Sequence, residues 1–226
     1  MKKILFILFI AFFSQNISAQ LFTIGDVGIG YLYLGPKAGV HGSWVSNTTT
    51  AGSDSKTLLG YQFGVVGKFG ITEKLAIQPE LIFTRKGAKE TFNGGEAKSL
   101  ASYIGIPILA KISVIKIGNI MLHGSGGIYT NITTSMKSIY EFDQFSEETK
   151  LSSNHYKTVD FGISFGGGAT YDLGHGLLVG EITIEHGFVD MYEDDYLAES
   201  NRNTTVGLNV SYLFDFAELS ANLLKK

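Results

Sequence analysis

Hydrophobic and polar positions alternate with a period of two along most of the chain. In residues 61–71, Tyr61, Phe63, Val65, Gly67, Phe69 and Ile71 share one face, and Gln62, Gly64, Val66, Lys68 and Gly70 share the other. Residues 158–172 set Val159, Phe161, Ile163, Phe165, Gly167, Ala169 and Tyr171 against Asp160, Gly162, Ser164, Gly166, Gly168 and Thr170. Residues 206–214 set Val206, Leu208, Val210, Tyr212 and Phe214 against Gly207, Asn209, Ser211 and Leu213. Side chains of a strand point alternately to opposite faces, so each segment has one apolar and one polar or small face. Eight strands are predicted, near 34–46, 58–71, 75–86, 99–113, 119–132, 156–172, 177–188 and 202–215.

The connections between them alternate in length. Those near 72–74, 114–118 and 173–176 are short; those near 47–57, 87–98, 133–155 and 189–201 are long and polar. An even strand count with short turns at one end and long loops at the other predicts an all-β fold, an eight-stranded antiparallel transmembrane β-barrel. Only a closed ring leaves no unpaired backbone edge in lipid. Strands of 12 to 17 residues exceed the ~9–11 needed to cross hydrocarbon, so they should project beyond it. No later stretch approaches ~18 consecutive apolar residues, so no membrane helix is predicted.

Composition sharpens this picture. There are 28 glycines, 3 prolines and no cysteine, and charged residues make up 17% of the chain. Without cysteine there is no disulfide framework, cysteine–zinc site or thiol nucleophile. A formal charge of -3 argues against nucleic acid as a partner, which calls for a basic patch. A secreted lipocalin is the competing eight-stranded reading, and Gly42-Ser43-Trp44 resembles its G-x-W element. A soluble barrel needs many charges on its outward polar face. Here that face is mostly Gly, Ser, Thr, Asn and Gln, which suits a narrow lumen, and Trp44 reads as an interface aromatic.

The first residues read as an address. Lys2 and Lys3 precede the apolar run Ile4–Phe13, and Ile17-Ser18-Ala19 offers a small-residue cleavage site. This is the layout of a secretory signal peptide over residues 1–19. Its removal takes two lysines and no acid, so the formal charge of -3 becomes -5. The barrel is assigned to 20–216. Residues 217–226 are read as a short C-terminal periplasmic tail, rich in Ala and Leu and dispensable for the barrel.

Three segments stand out: Gly35-Pro36-Lys37-Ala38-Gly39, then Gln78-Pro79-Glu80-Leu81-Ile82-Phe83 with Lys86-Gly87, and Tyr103-Ile104-Gly105-Ile106-Pro107-Ile108-Leu109-Ala110-Lys111. With Phe161-Gly162, Gly166-Gly167-Gly168 and Arg202-Asn203, they resemble the PorT-like outer-membrane β-barrel family of Gram-negative bacteria. The resemblance implies a protein of the cell outer membrane, exported by its signal peptide, with no catalytic activity and no cofactor. The expected surroundings are outer-membrane lipid, the barrel-assembly machinery and an unidentified surface or periplasmic protein; the barrel is expected to be a monomer that meets no nucleic acid. Its role would be structural, adhesive or accessory to export through the surface loops. An outer-membrane enzyme acting on lipid or peptide at the loop end is the alternative.

Candidate chemistry is sparse. His41, His123, His155, His175 and His186 are scattered, with none of the converging spacing that zinc requires. No strand-to-helix nucleophile elbow is predicted. Glu141, Asp143, Glu147 and Glu148, and Glu193, Asp194 and Asp195, make two loops acidic without the EF-hand spacing for Ca²⁺. Pro79 and Pro107 lie inside predicted strands, where bulges are expected. More informative are charges on the inward faces: Lys68, Glu80, Lys86, Lys111, Asp160, Glu181 and Glu185. An eight-stranded barrel has an interior that side chains fill, and buried charges must pair. Strand directions place Lys68, Glu80, Lys111 and Glu181 together in the periplasmic half, as a structural ion-pair network. No catalytic, cofactor or metal residues are assigned.

Overall fold

The computed structural model describes residues 22–24, 27–45, 54–92, 94–142, 145–150, 156–190 and 202–216. The signal peptide, the C-terminal tail, His155, Asp143 and the acidic run Glu193–Asp195 lie outside these. The described residues form twelve strands: β1 (Phe22–Ile24), β2 (Val27–Ile29), β3 (Tyr31–Val45), β4 (Asp54–Lys56), β5 (Leu58–Gly70), β6 (Leu75–Phe92), β7 (Gly95–Ile117), β8 (Ile120–Phe142), β9 (Phe145–Lys150), β10 (Val159–Asp172), β11 (Gly176–Asp190) and β12 (Arg202–Asp215). Eight of them pair antiparallel around a ring, in the order β3-β5-β6-β7-β8-β10-β11-β12, and β12 returns to β3. The other four are short: β1 pairs β2, β4 adds to β6, and β9 adds to β8.

The period-two pattern decides which way the ring faces. Phe63, Val65, Ile108, Phe165, Ile182 and Leu208 are each about half exposed, whereas Lys37, Gln78, Glu80, Lys86, Lys111, Glu181 and Asn209 are buried. This is the inverse of a water-soluble barrel and fits an apolar band facing lipid. Phe63 and Phe83 meet on that band with ring centres 5.2 Å apart and planes tilted by 36°. Trp44, on the same outward face, stands one residue from the loop end of β3.

Turn chemistry fixes the end with the short connections. The Thr72 hydroxyl accepts the N–H groups of Lys74 and Leu75 at 3.2 and 2.9 Å. Gly118 and Gly174 turn the next two hairpins with φ of 58° and 85°, which glycine adopts without a Cβ clash. Strand crowding also demands glycine: a Cβ on Gly127 would lie 2.1 Å from the Ile108 carbonyl oxygen.

Two expectations are corrected. The predicted loops 87–98 and 133–155 are largely strand: β6, β7 and β8 run 18, 23 and 23 residues and rise beyond the ring as hairpins. Phe92 pairs with Gly95, and Gly94 at φ 88° stands in a tight turn where a long loop was expected. The prolines, in turn, form no bulges. Pro79 pairs in register with Ile108, yet the ladder from β5 to β6 skips two pairs between Val66–Glu80 and Phe69–Ile77 with no slip. Pro107 breaks the β6–β7 ladder in the same way, and Pro36 the β12–β3 ladder. A missing N–H faces only one neighbour, so each proline opens one ladder locally and leaves the other whole. The register shifts lie elsewhere, at Ser102/Tyr103, Ser113/Ile115 and His186/Asp190.

Candidate functional site

The lumen is stacked in layers. At the short-turn end Val66, Leu177, Val179 and Leu213 form an apolar plug against Tyr33. Above it, Lys111 Nζ lies 2.7 Å from Glu181 Oε1, and His123 Nε2 lies 3.1 Å from the same oxygen. The other His123 nitrogen faces the Thr170 hydroxyl at 3.3 Å. In the next layer Lys37 donates to both oxygens of Glu80, at 2.9 and 2.7 Å, and Gln78 donates to Oε1 at 2.6 Å. Gln62 donates to Asn209, whose amide donates to the Thr183 hydroxyl at 3.0 Å.

Closer to the loops, Lys86 lies 2.5 Å from Glu185 and 4.9 Å from the centre of the Tyr129 ring. Asn131 donates to Asp160 at 3.2 Å. A second apolar plug of Val45, Ala88, Ala101, Tyr103, Met136 and Tyr156 closes the top. Ser43 braces this level: its hydroxyl donates to the Gly87 carbonyl at 2.8 Å and accepts the Gly87 N–H at 3.0 Å. The gap left among Lys37, Gln62, Glu80, Thr84 and Asn131 is about the size of one water.

Of the four residues predicted to cluster, Lys111 and Glu181 are paired. Glu80 takes Lys37 as its partner instead. Lys68 forms no ion pair among the described residues and has its Nζ 5.9 Å from the Tyr31 ring centre. Lys37 is the residue that the inward list missed. Its register was readable, because Gly35, Lys37, Gly39, His41 and Ser43 are the polar face of the first strand. So was its charge, because that list held three lysines against four carboxylates.

The hairpins above the ring carry a separate charge ladder. Glu96 is bonded by Lys89 and Lys98, and Lys98 also reaches Glu141 at 3.0 Å. These bonds, first that from Lys89, hold the Glu96 carboxyl down to about 2. Lys137 pairs with Glu148 on β9. The Phe92 and Phe142 rings stack 6.3 Å apart at the tip, and Tyr140 is exposed beside them.

No curated protein matches the sequence. Among solved structures, the fold is similar to Neisserial surface protein A, at 10% identity and a TM-score of 0.47 over 82% of this chain and 97% of that one. It is similar to OprG of Pseudomonas aeruginosa at 10% identity and 0.49, over 82% and 96%. It is also similar to Ail, the attachment invasion locus protein of Yersinia pestis, at 12% identity and 0.39, over 81% and 99%. The model of the outer membrane protein beta-barrel domain matches residues 13–193. With a closed antiparallel ring, an apolar outer band and a polar interior, the chain belongs to the outer membrane protein beta-barrel domain family.

Proposed function

We propose that this outer-membrane barrel, of the PorT-like type, is non-enzymatic and acts through its surface hairpins, in a structural, adhesive or export-accessory role. One observation carries the reading: the lumen is filled by paired charges at mid-height and closed by an apolar plug at each end. A filled lumen offers no wide route for solute, and its plugs keep a substrate the size of a lipid or peptide from its polar groups. What remains for partners is the sheet that rises above the ring, with a zwitterionic ladder on one face and Phe92, Tyr140 and Phe142 exposed near its tip. Exposed aromatics among polar residues are the usual composition of a recognition surface.

Planar-bilayer recording and a hairpin deletion test this together. The unaltered protein is expected to give no large, steady channel. Shortening both hairpins, by removing 89–96 and 137–150, is expected to leave a folded barrel that no longer retains outer-membrane or surface proteins in a detergent pull-down. A steady wide pore, or an unchanged set of retained proteins after shortening, refutes the proposal.

A further inference from the structure

Gly187 on β11 faces Gly162 on β10, and the absence of side chains there lets the Tyr129 hydroxyl approach both backbones. A Cβ on Gly187 would lie 2.9 Å from Asp160 Oδ1, 3.2 Å from the Tyr129 hydroxyl oxygen and 3.4 Å from the Asn203 carbonyl oxygen. A carboxylate, a phenol and a backbone carbonyl therefore converge near one point. The register between β11 and β12 shifts here, between His186 and Asp190, which frees local backbone from regular pairing.

Two of these oxygens lack partners. Asp160 Oδ1 and the Tyr129 hydroxyl are buried with no hydrogen bond among the described residues, and so is the side-chain oxygen of Asn203, whose carbonyl shares the point. Their side chains are well sealed: Asp160, Tyr129 and Asn203 are 6%, 1% and 1% exposed. The second Asp160 oxygen is satisfied by Asn131, and the Asn203 amide donates to Tyr103 at 3.3 Å. Buried polar atoms in a folded protein find partners, so unpartnered oxygens at one place point to a missing guest.

Charge identifies the guest. Lys86, the buried cation of this layer, is committed to Glu185 at 2.5 Å, and Asp160 forms no ion pair among the described residues. One negative charge is left over at the loop end of the lumen. The surplus cation, Lys68, sits near the opposite end beside Tyr31 and cannot neutralise it. Arg202 faces Asp190 at 3.8 Å, and Lys157 stands exposed on the rim. An all-oxygen donor set suits a hard cation. A single carboxylate suits one charge, because Ca²⁺ gathers six to eight oxygens, generally with several carboxylates. A narrow cleft at the loop end reaches Asp160, and its lining includes Tyr103, Met136, Tyr156, Asp190 and Lys157.

We infer that Asp160, Tyr129 and the Asn203 carbonyl oxygen bind one desolvated monovalent cation, of the size of Na⁺, at the loop end of the lumen. The test is thermal melting of the full-length protein in detergent, followed by circular dichroism, in sodium chloride and in N-methylglucamine chloride at equal ionic strength. The melting temperature is expected to be several degrees higher in sodium, with an effect that saturates. Asp160→Asn is expected to abolish the difference between the two salts. Tyr129→Phe is expected to raise the half-saturating sodium concentration about tenfold, the equivalent of one lost oxygen contact. Glu96→Gln, outside the lumen, is expected to keep the full difference. Crystals of the unaltered protein soaked in thallium(I) give a readout independent of any variant, with an anomalous peak expected between Asp160 and Asn203. Equal melting in both salts, a sodium effect that survives Asp160→Asn, or a thallium soak with no peak there overturns the inference.

Discussion

Replacing Glu80 with alanine isolates the energetics of the lumen. The carboxylate accepts three hydrogen bonds, two from Lys37 and one from Gln78. Without it the Lys37 ammonium, with 3% of its side chain exposed, keeps its charge and loses its counterion. Breaking a buried pair by removing one partner costs about 3–5 kcal/mol, because the stranded charge stays buried. For a chain of this size each kcal/mol moves the melting temperature by about 2–4 °C, so Glu80→Ala is expected to lower it by roughly 6–20 °C. The assay is the temperature at which the fast-migrating folded band is lost on a cold denaturing gel, checked by circular dichroism. The partner matters as much as the loss. Lys37→Met added to Glu80→Ala removes the stranded charge and is expected to recover about half of the drop or more, whereas Lys111→Met strands Glu181 and is expected to deepen it. A Glu80→Ala barrel that melts within about 2 °C of the unaltered protein, or rescue by Lys111→Met rather than Lys37→Met, refutes the pairing argument.

Other outcomes follow from the same structure. The protein is expected to be heat-modifiable, because a ring with every strand paired survives cold detergent; identical mobility of boiled and unboiled samples would contradict the closed ring. Gly127→Val is expected to abolish that band altogether, since a Cβ there meets the Ile108 carbonyl at 2.1 Å and a strand backbone cannot retreat without opening the ladder. At the hairpin tip, Glu96 has its carboxyl depressed from 4.5 to about 2. Its contribution to tip order is therefore complete above 4.5 and is lost as pH falls through about 2. Amide exchange over Thr91–Ala97 is expected to stay slow at pH 4 and to quicken near pH 2, with the dependence gone in Glu96→Gln; protection that persists at pH 2 would show that Lys89 and Lys98 do not hold the tip. Deleting 218–226 is expected to leave assembly intact and Phe214 near the new terminus, as seen by the same gel; loss of the folded band would assign the tail a role in assembly.

The ring was legible in the sequence because one physical rule governs every strand. A lipid outside and a narrow interior inside force alternation, and Val206, Leu208 and Val210 against Asn209 and Ser211 cannot be read another way. The upper hairpins escaped because above the membrane that rule lapses. In Lys89-Glu90-Thr91 and Glu96-Ala97-Lys98, both faces are wet and polarity no longer reports on strand. The signal that did persist was Asn93-Gly94, a turn dipeptide short enough to imply a hairpin. Within the lumen, inward charge could be listed from register, but partner choice could not. Lys37 reaches Glu80 across β5, skipping a strand, and that reach depends on barrel diameter and side-chain length rather than on neighbour order. The oxygens near Gly187 were illegible for a related reason. Tyr129, Asp160 and Asn203 come from three different strands and meet only where two glycines oppose and a register shift intervenes.

The two longest strands have a mechanical consequence. β7 and β8 each run 23 residues without a break from the turn at Gly118 to the upper tip, a contour of roughly 75 Å at about 3.3 Å per residue. A pull at that tip, directed along the strands, loads the ladders to β6 and β10 in shear. Their hydrogen bonds must then give way together rather than one after another. Unzipping needs a free end or a seam, and the pairing of β12 with β3 removes the seam. The ring therefore spreads a force applied at the cell surface around all eight staves and into the surrounding lipid, so that the hairpin tip should tear before its footing does.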